Sequence, residues 1–422
     1  MIDKPPIHPT DEETPRPLQV LVVITDFNWP IRDGSTVIAY HLTEALRKQG
    51  HQVDLFTSHT SGEVPARPVY LIPKEAPKGK LSRKLARLAR YFNAPASQVL
   101  HFGELSHKKT YDVCLGIGAG ACPYLVQAQA KSRFWILGDN PLRNACLFFL
   151  TELFHYPIAA FRELFFYARQ ALFLRFFRPK LNGISWVTAK DRRWSGLYIG
   201  AETGIVLPNG VSTMEFECLP TPRDRHLLAF WGNLSYFNNI HAIEWFYHRV
   251  FAELYKRNSL YRFIIAGSFP DKRVRRIAEM PGVELRENPE NIEECLKDCA
   301  VGVFPFQFST GIKNKVLESA AMGKATFVSP CIRSDFFSGT SPPFTVCQKP
   351  QDWIECLQSL VQFPEHTDDR RLALLQWVKE FYDWTSISHA LIKAATQGIE
   401  KKEKFPPPAP SQARTGPRKA AS

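Results

Sequence analysis

No run of about 18 uncharged apolar residues occurs anywhere in the 422-residue chain, so it offers no candidate for a membrane-spanning helix. Its nine cysteines include no Cys-x-x-Cys pair and no metal-ligand spacing. Cys295 and Cys299 lie four apart with no histidine nearby, and all nine read as reduced, mostly buried thiols of a cytoplasmic protein. Residues 1–17 are polar, with prolines and acids but no apolar centre, and read as a disordered tail and not a secretory leader. The net charge of +12 points to an anionic partner, and charge alone does not choose among nucleotide, membrane surface and nucleic acid. Without a recognised reading module, a specific nucleic-acid partner ranks last.

What the chain does have is a globular composition, 45% hydrophobic and 13% aromatic, and length enough for two cores. The most informative stretch is residues 308–323, FSTGIKNKVLESAAMG. An apolar run at 300–304 precedes it and reads as a buried strand closed by Pro305. Val316, Leu317, Ala320 and Ala321 then recur at helical spacing, with Gly323 as the stop. Lys313 and Lys315 fall in the expected first turn, where cations oppose the helix dipole unless an anion is bound. The plain alternative is a βα unit with two solvated lysines, and this stretch alone leaves both open.

Along the chain, residues 18–25 read as a buried parallel strand, 36–49 as a helix and 52–56 as a second strand. The Asp33-Gly34-Ser35 turn lies beyond the carboxyl end of the first strand, where such folds bind ligands. Residues 74–90 read as a basic amphipathic helix, suited either to an anionic membrane or to docking on its own domain. Strands are expected at 111–117 and 133–138. The glycines at 116, 118 and 120 read as a close-approach turn, lacking the helix-opening context of a dinucleotide fingerprint. Asp139 follows the second strand as a ligand-facing carboxylate or, more commonly, a turn or capping residue. Between 147 and 180 stand nine phenylalanines, with charges that forbid a bilayer span. Most are expected to pack between layers, with a lipid interface as the alternative. A linker near 221–225 leads into a second strand–helix alternation, helices fill 368–397 with a break at 383–386, and the basic, proline-rich residues 401–422 read as disordered.

Taken in order, Asp33-Gly34-Ser35, Leu207-Pro208-Asn209-Gly210-Val211, the turn at 232–239 and the stretch at 311–323 resemble the retaining GT-B glycosyltransferases of the family 4 type (glycosyl transferases group 1). The resemblance implies an α/β fold of two Rossmann-like, doubly wound domains facing a cleft. They would be an acceptor-side domain at 18–220 and a donor-binding domain at 221–370, with helices at 371–400 bracing the first domain. It implies a metal-independent, hexosyltransferase-like enzyme of surface glycan or exopolysaccharide synthesis. That enzyme would take a nucleotide-diphosphate sugar as donor, with no other cofactor, and a glycan or lipid-linked acceptor, with the protein peripheral at the inner membrane face. Donor contacts would come from Gly34, Ser35, Asn233, Gly311, Ile312, Lys313, Lys315, Val316 and Glu318, with Asp139 and Thr310 at the reacting centre. Thr310 stands where the family carries the first glutamate of a pair, Asn233 and Asn238 or Asn239 replace its usual arginine and lysine, and no histidine follows the strand at 111–117. These departures keep a catalytically silent GT-B scaffold open as the second reading.

Overall fold

The computed structural model describes residues 16–29, 31, 34–61, 69–71, 96–153, 157–200, 204–212, 224–336, 342–363 and 365–404. Asp33, the basic segment at 74–90, Phe154 and most of the expected linker and tails lie outside them.

Two parallel sheets organise the chain. The first comprises β1 (Gln19–Asn28), β2 (Gln52–Ser61), β3 (Val69–Leu71), β4 (Tyr111–Ile117), β5 (Ala130–Ile136), β6 (Gly183–Trp186) and β7 (Ile205–Val206), in the order β3-β2-β1-β4-β5-β6-β7. The second comprises β8 (Asp224–Asn233), β9 (Arg262–Ser268), β10 (Val283–Glu287), β11 (Cys299–Phe304), β12 (Ala325–Val328) and β13 (Thr345–Val346), in the order β10-β9-β8-β11-β12-β13. Each sheet reverses direction beside its first strand, between β1 and β4 and between β8 and β11. A crevice opens at such a switch point, outside the carboxyl ends of the strands. Strands covered on both faces need continuous apolar runs, and β11 is buried at every residue.

The chain then crosses back. Leu374, Trp377 and Val378 of the helix Glu365–Phe381 belong to the second core, whereas Trp384, Ile387, Leu391 and Ile392 of the helix Trp384–Lys404 belong to the first. At the crossing Val211 N–H donates to the Tyr382 carbonyl at 2.8 Å. Gly210 is required there, because a Cβ would sit 2.5 Å from the Trp384 ring.

Three expectations are corrected. The first helix spans Gly34–Lys48, so Gly34 and Ser35 form its opening turn instead of preceding it. The glycine-rich turn after β4 does open a helix, through a 3-10 turn at Ala119–Ala121 into Cys122–Gln127. It is also a close approach, since a Cβ on Gly120 would lie 2.7 Å from Thr25 Cγ2. Of the eight described phenylalanines in the helices Pro141–Glu152 and Pro157–Phe177, five are half-buried, with Phe173 and Phe177 against the first core and Phe148 against Phe237, but none is fully buried and Phe161, Phe165 and Phe176 are exposed. Those helices cover the first sheet with one side only. Among the described residues no helix is long and apolar enough to cross a membrane, and the eight described cysteines are unpaired.

Candidate active site

A cleft of about 1020 Å³ lies between the two sheets. Gly34, Ser35, Gly118 and Asp139 line it from the first domain, and Gly232, Asn233, Ile312, Lys313, Lys315 and Glu318 from the second. Sequence reasoning therefore brought most of its candidates to one place. Gly311, Thr310 and Val316 do not line it: Gly311 lies against Asp139, while the Val316 side chain lies in the second core and its N–H donates to the Lys313 carbonyl at 2.9 Å. Thr310 is buried just behind the cleft wall.

The helix after β11 begins at Asn314, with Lys313 at its N-cap, so only Lys315 lies within the first turn. Lys315 Nζ donates to Asn239 Oδ1 at 2.8 Å and stands 4.5 Å from the centroid of the Phe230 ring. Burial pushes its pKa down to about 7; Lys313 pushes the same way and Glu318 opposes. Asn239 is fixed in turn, donating from Nδ2 to the Asn233 carbonyl at 2.6 Å. Gly232 has no room for a side chain: φ is 135° and a Cβ would meet Lys315 Nζ at 2.5 Å. The end of β8 is thus shaped around the lysine. Glu318, one helical turn beyond, accepts from Trp231 Nε1 at 2.8 Å. Burial raises its pKa, against the Trp231 hydrogen bond and the Lys315 charge.

From the other side, Asp139 reaches over at the end of β5. Its Oδ2 accepts from Thr310 Oγ1 at 3.0 Å, and a Cβ on Gly311, whose φ is 64°, would lie 1.7 Å from its Oδ1. Burial raises the pKa of Asp139, and the nearby Lys313 lowers it. Helix capping falls instead to Asn140, whose Oδ1 accepts from Leu142 N–H and Arg143 N–H. The capping alternative for Asp139 is thereby removed, and its carboxylate enters the loop of the opposite domain.

Three features were not anticipated. Arg143 Nη1 donates to Asp191 Oδ1 at 3.0 Å, while its Nη2 donates to Asp335 Oδ1 at 3.0 Å and to the Ser309 carbonyl at 2.9 Å. All three side chains are buried, so a desolvated cation with its partners joins the domains directly behind Asp139. Asn209 Nδ2 donates to Asn314 Oδ1 at 2.8 Å, tying the Pro208-Asn209-Gly210 turn to the lysine-bearing helix. Trp231 as the holder of Glu318 is the third. None has a local signal, because each partner lies 48 or more residues away.

Comparison with known proteins agrees with this architecture. Residues 225–362 match the family model described as Glycosyl transferases group 1. No curated protein matches the chain. Among solved structures it resembles HepE of Anabaena in complex with UDP and glucose, at 10% identity and a TM-score of 0.61 over 89% of this chain and 98% of that one. It also resembles a variant of S. aureus TarM in complex with Fondaparinux, alpha-GlcNAc-glycerol and UDP (11%, TM-score 0.66, 89% and 99%). Sucrose-phosphate synthase of Thermosynechococcus elongatus is similar as well (13%, TM-score 0.64, 91% and 100%). The fold is GT-B.

Proposed function

We propose that the chain transfers a sugar, with retention, from a nucleotide-diphosphate sugar to a glycan or lipid-linked acceptor at a membrane surface. The observation behind this is Lys315, a half-buried cation at a helix N-terminus whose one hydrogen-bond partner is the neutral Asn239, in a cleft roomy enough for two substrates. A diphosphate there would meet Lys315, Lys313 and the opening N–H groups of Gly34 and Ser35 across the cleft. The two lysines would offset the charge that builds on the leaving diphosphate, the role a divalent ion fills elsewhere. Glu318 keeps one oxygen on Trp231 and would offer the other to ribose hydroxyls. Asp139, beside Gly311 and Thr310, would lie against the transferred sugar, supplying a carboxylate to a loop that has none of its own. The HepE and TarM complexes with UDP support the donor class.

The second reading, a scaffold that binds without transfer, is favoured by Thr310 and its position behind the wall. Incubation with labelled UDP-, GDP- and ADP-sugars, with and without chelator, decides between them. Transfer or slow hydrolysis of one base class, unchanged by chelator and largely lost in Asp139→Asn with binding retained, is the expected result. Binding without turnover identifies the scaffold, and neither binding nor turnover rejects both.

A further inference from the structure

The helix Pro157–Phe177 has two unlike long faces. Tyr167, Gln170 and Leu174, spaced i, i+3 and i+7, line the cleft. Ile158, Phe161, Phe165, Leu172 and Phe176 stand in solvent, between 57% and 87% exposed. At about 100° per residue the two sets are centred roughly 180° apart. Leu150 of the preceding helix is also exposed, and Phe149 meets the Phe161 ring at 5.1 Å. Among the described residues, six of the fourteen exposed large hydrophobic ones thus gather on one helix pair, as a patch and not as scattered single residues.

Cations edge the stripe. Arg162 and Arg169 flank one side and Arg175 the other, with Lys180 beyond the helix end over the Phe176 and Phe177 rings. Glu163, the one acid of this helix, pairs with Arg162 at 3.1 Å. We infer that this stripe seats on an anionic membrane, its rings entering the lipid interface and its arginines and lysine meeting the phosphates. Charge complementarity selects this occupant: a second copy pairing face to face would set the same cations against each other. Seated so, the helix holds the cleft wall about one helix diameter, some 10 Å, from the headgroups. Presentation of a lipid-linked acceptor there rests on the transfer reading above; the docking itself does not.

The test is flotation of the full chain with vesicles of phosphatidylcholine, with and without phosphatidylglycerol, at low ionic strength. The wild type should float with the anionic vesicles. Combined Phe161→Ser, Phe165→Ser and Phe176→Ser should reduce binding about tenfold or more with no fall in melting temperature, because all three rings are exposed. A separate Phe165→Trp variant should gain a blue-shifted emission that brominated lipid quenches. Absence of flotation, undiminished flotation of the triple variant, or an unshifted tryptophan overturns the inference. So does a wild-type dimer that the triple variant makes monomeric. Donor turnover by the soluble protein is read without vesicles, and flotation without donor, so either proposal can fail alone.

Discussion

The helix Asn314–Ala321 has a lysine near each end, Lys324 buried and Lys315 half-buried in the cleft wall, and the two are finished differently. Lys324, just past the carboxyl end, donates to the Leu296 carbonyl at 2.6 Å and the Cys299 carbonyl at 2.7 Å. It stands at the end of the helix dipole that favours a cation. Lys315, in the first turn, stands at the end that repels one, with the neutral Asn239 as its hydrogen-bond partner. Burial lowers both, to about 8 for Lys324 and about 7 for Lys315. A buried charge answered by two carbonyls holds the fold together. One answered by a single neutral amide, beside another lysine and open to a cleft, leaves room for an anion. The contrast sets a structural lysine apart from the one proposed to bind, without reference to any relative.

Replacing each lysine by methionine tests that contrast most sharply. Lys315→Met should weaken binding of the preferred nucleoside diphosphate, found by calorimetric titration with UDP, GDP and ADP, by about 2–3 kcal/mol, as expected for a lost charge-assisted hydrogen bond. The melting temperature of the empty protein should hold or rise, since a poorly compensated, half-buried charge is removed. Lys324→Met should do the reverse, lowering stability by about 1–2 kcal/mol with nucleotide affinity unchanged. If Lys315→Met melts lower and binds as well as the wild type, the two lysines are alike and the anion site is lost.

A weaker effect should appear with pH. The folded Lys315 pKa of about 7 lies below the unfolded value of about 10.4, so the unfolded state binds more protons between them. Its penalty on folding is fully present below about 7 and is relieved as pH climbs towards 10.4. Wild-type stability relative to Lys315→Met should therefore rise across that window. Diphosphate binding runs the opposite way, because it favours the protonated lysine: affinity should fall as pH rises above about 7 in the wild type and fall less in the variant. Chemical denaturation and titration at matched pH read the two trends separately.

How much of this was legible follows from where each signal resides. Strands β4 and β12 were read at their observed bounds because a strand covered on both faces needs a largely apolar run, as in Tyr111–Ile117 and Ala325–Val328, where Asp112 and Thr326 are the polar interruptions. Lys313, Lys315, Gly34 and Asp139 were found because a βα turn announces itself locally. Membership of the helix's first turn was misread by one residue at Lys313, where cap geometry decides. The Arg143 network was invisible: its carboxylates lie 48 and 192 residues away, and a lone arginine on a helix gives no hint of burial. The three exposed phenylalanines misled for a related reason. Apolar residues on all sides of a helix signal burial on all sides, yet Pro157–Phe177 has only one side to bury.

The smallest effect separates the two ends of the proposed donor. Trp231→Phe removes the N–H that holds Glu318 Oε2 while keeping most of the ring packing against Phe304, whose centroid lies 5.1 Å away. If Glu318 serves the nucleoside, losing this restraint should weaken nucleoside diphosphate binding by up to about 1 kcal/mol and leave inorganic pyrophosphate binding unchanged. Glu318 also raises the pKa of Lys315, so a second route exists: a displaced carboxylate could act through the lysine's charge. In that case pyrophosphate would change along with the nucleotide. Parallel titrations of Trp231→Phe with both ligands therefore show whether the carboxylate is a ribose contact or a counter-ion to Lys315.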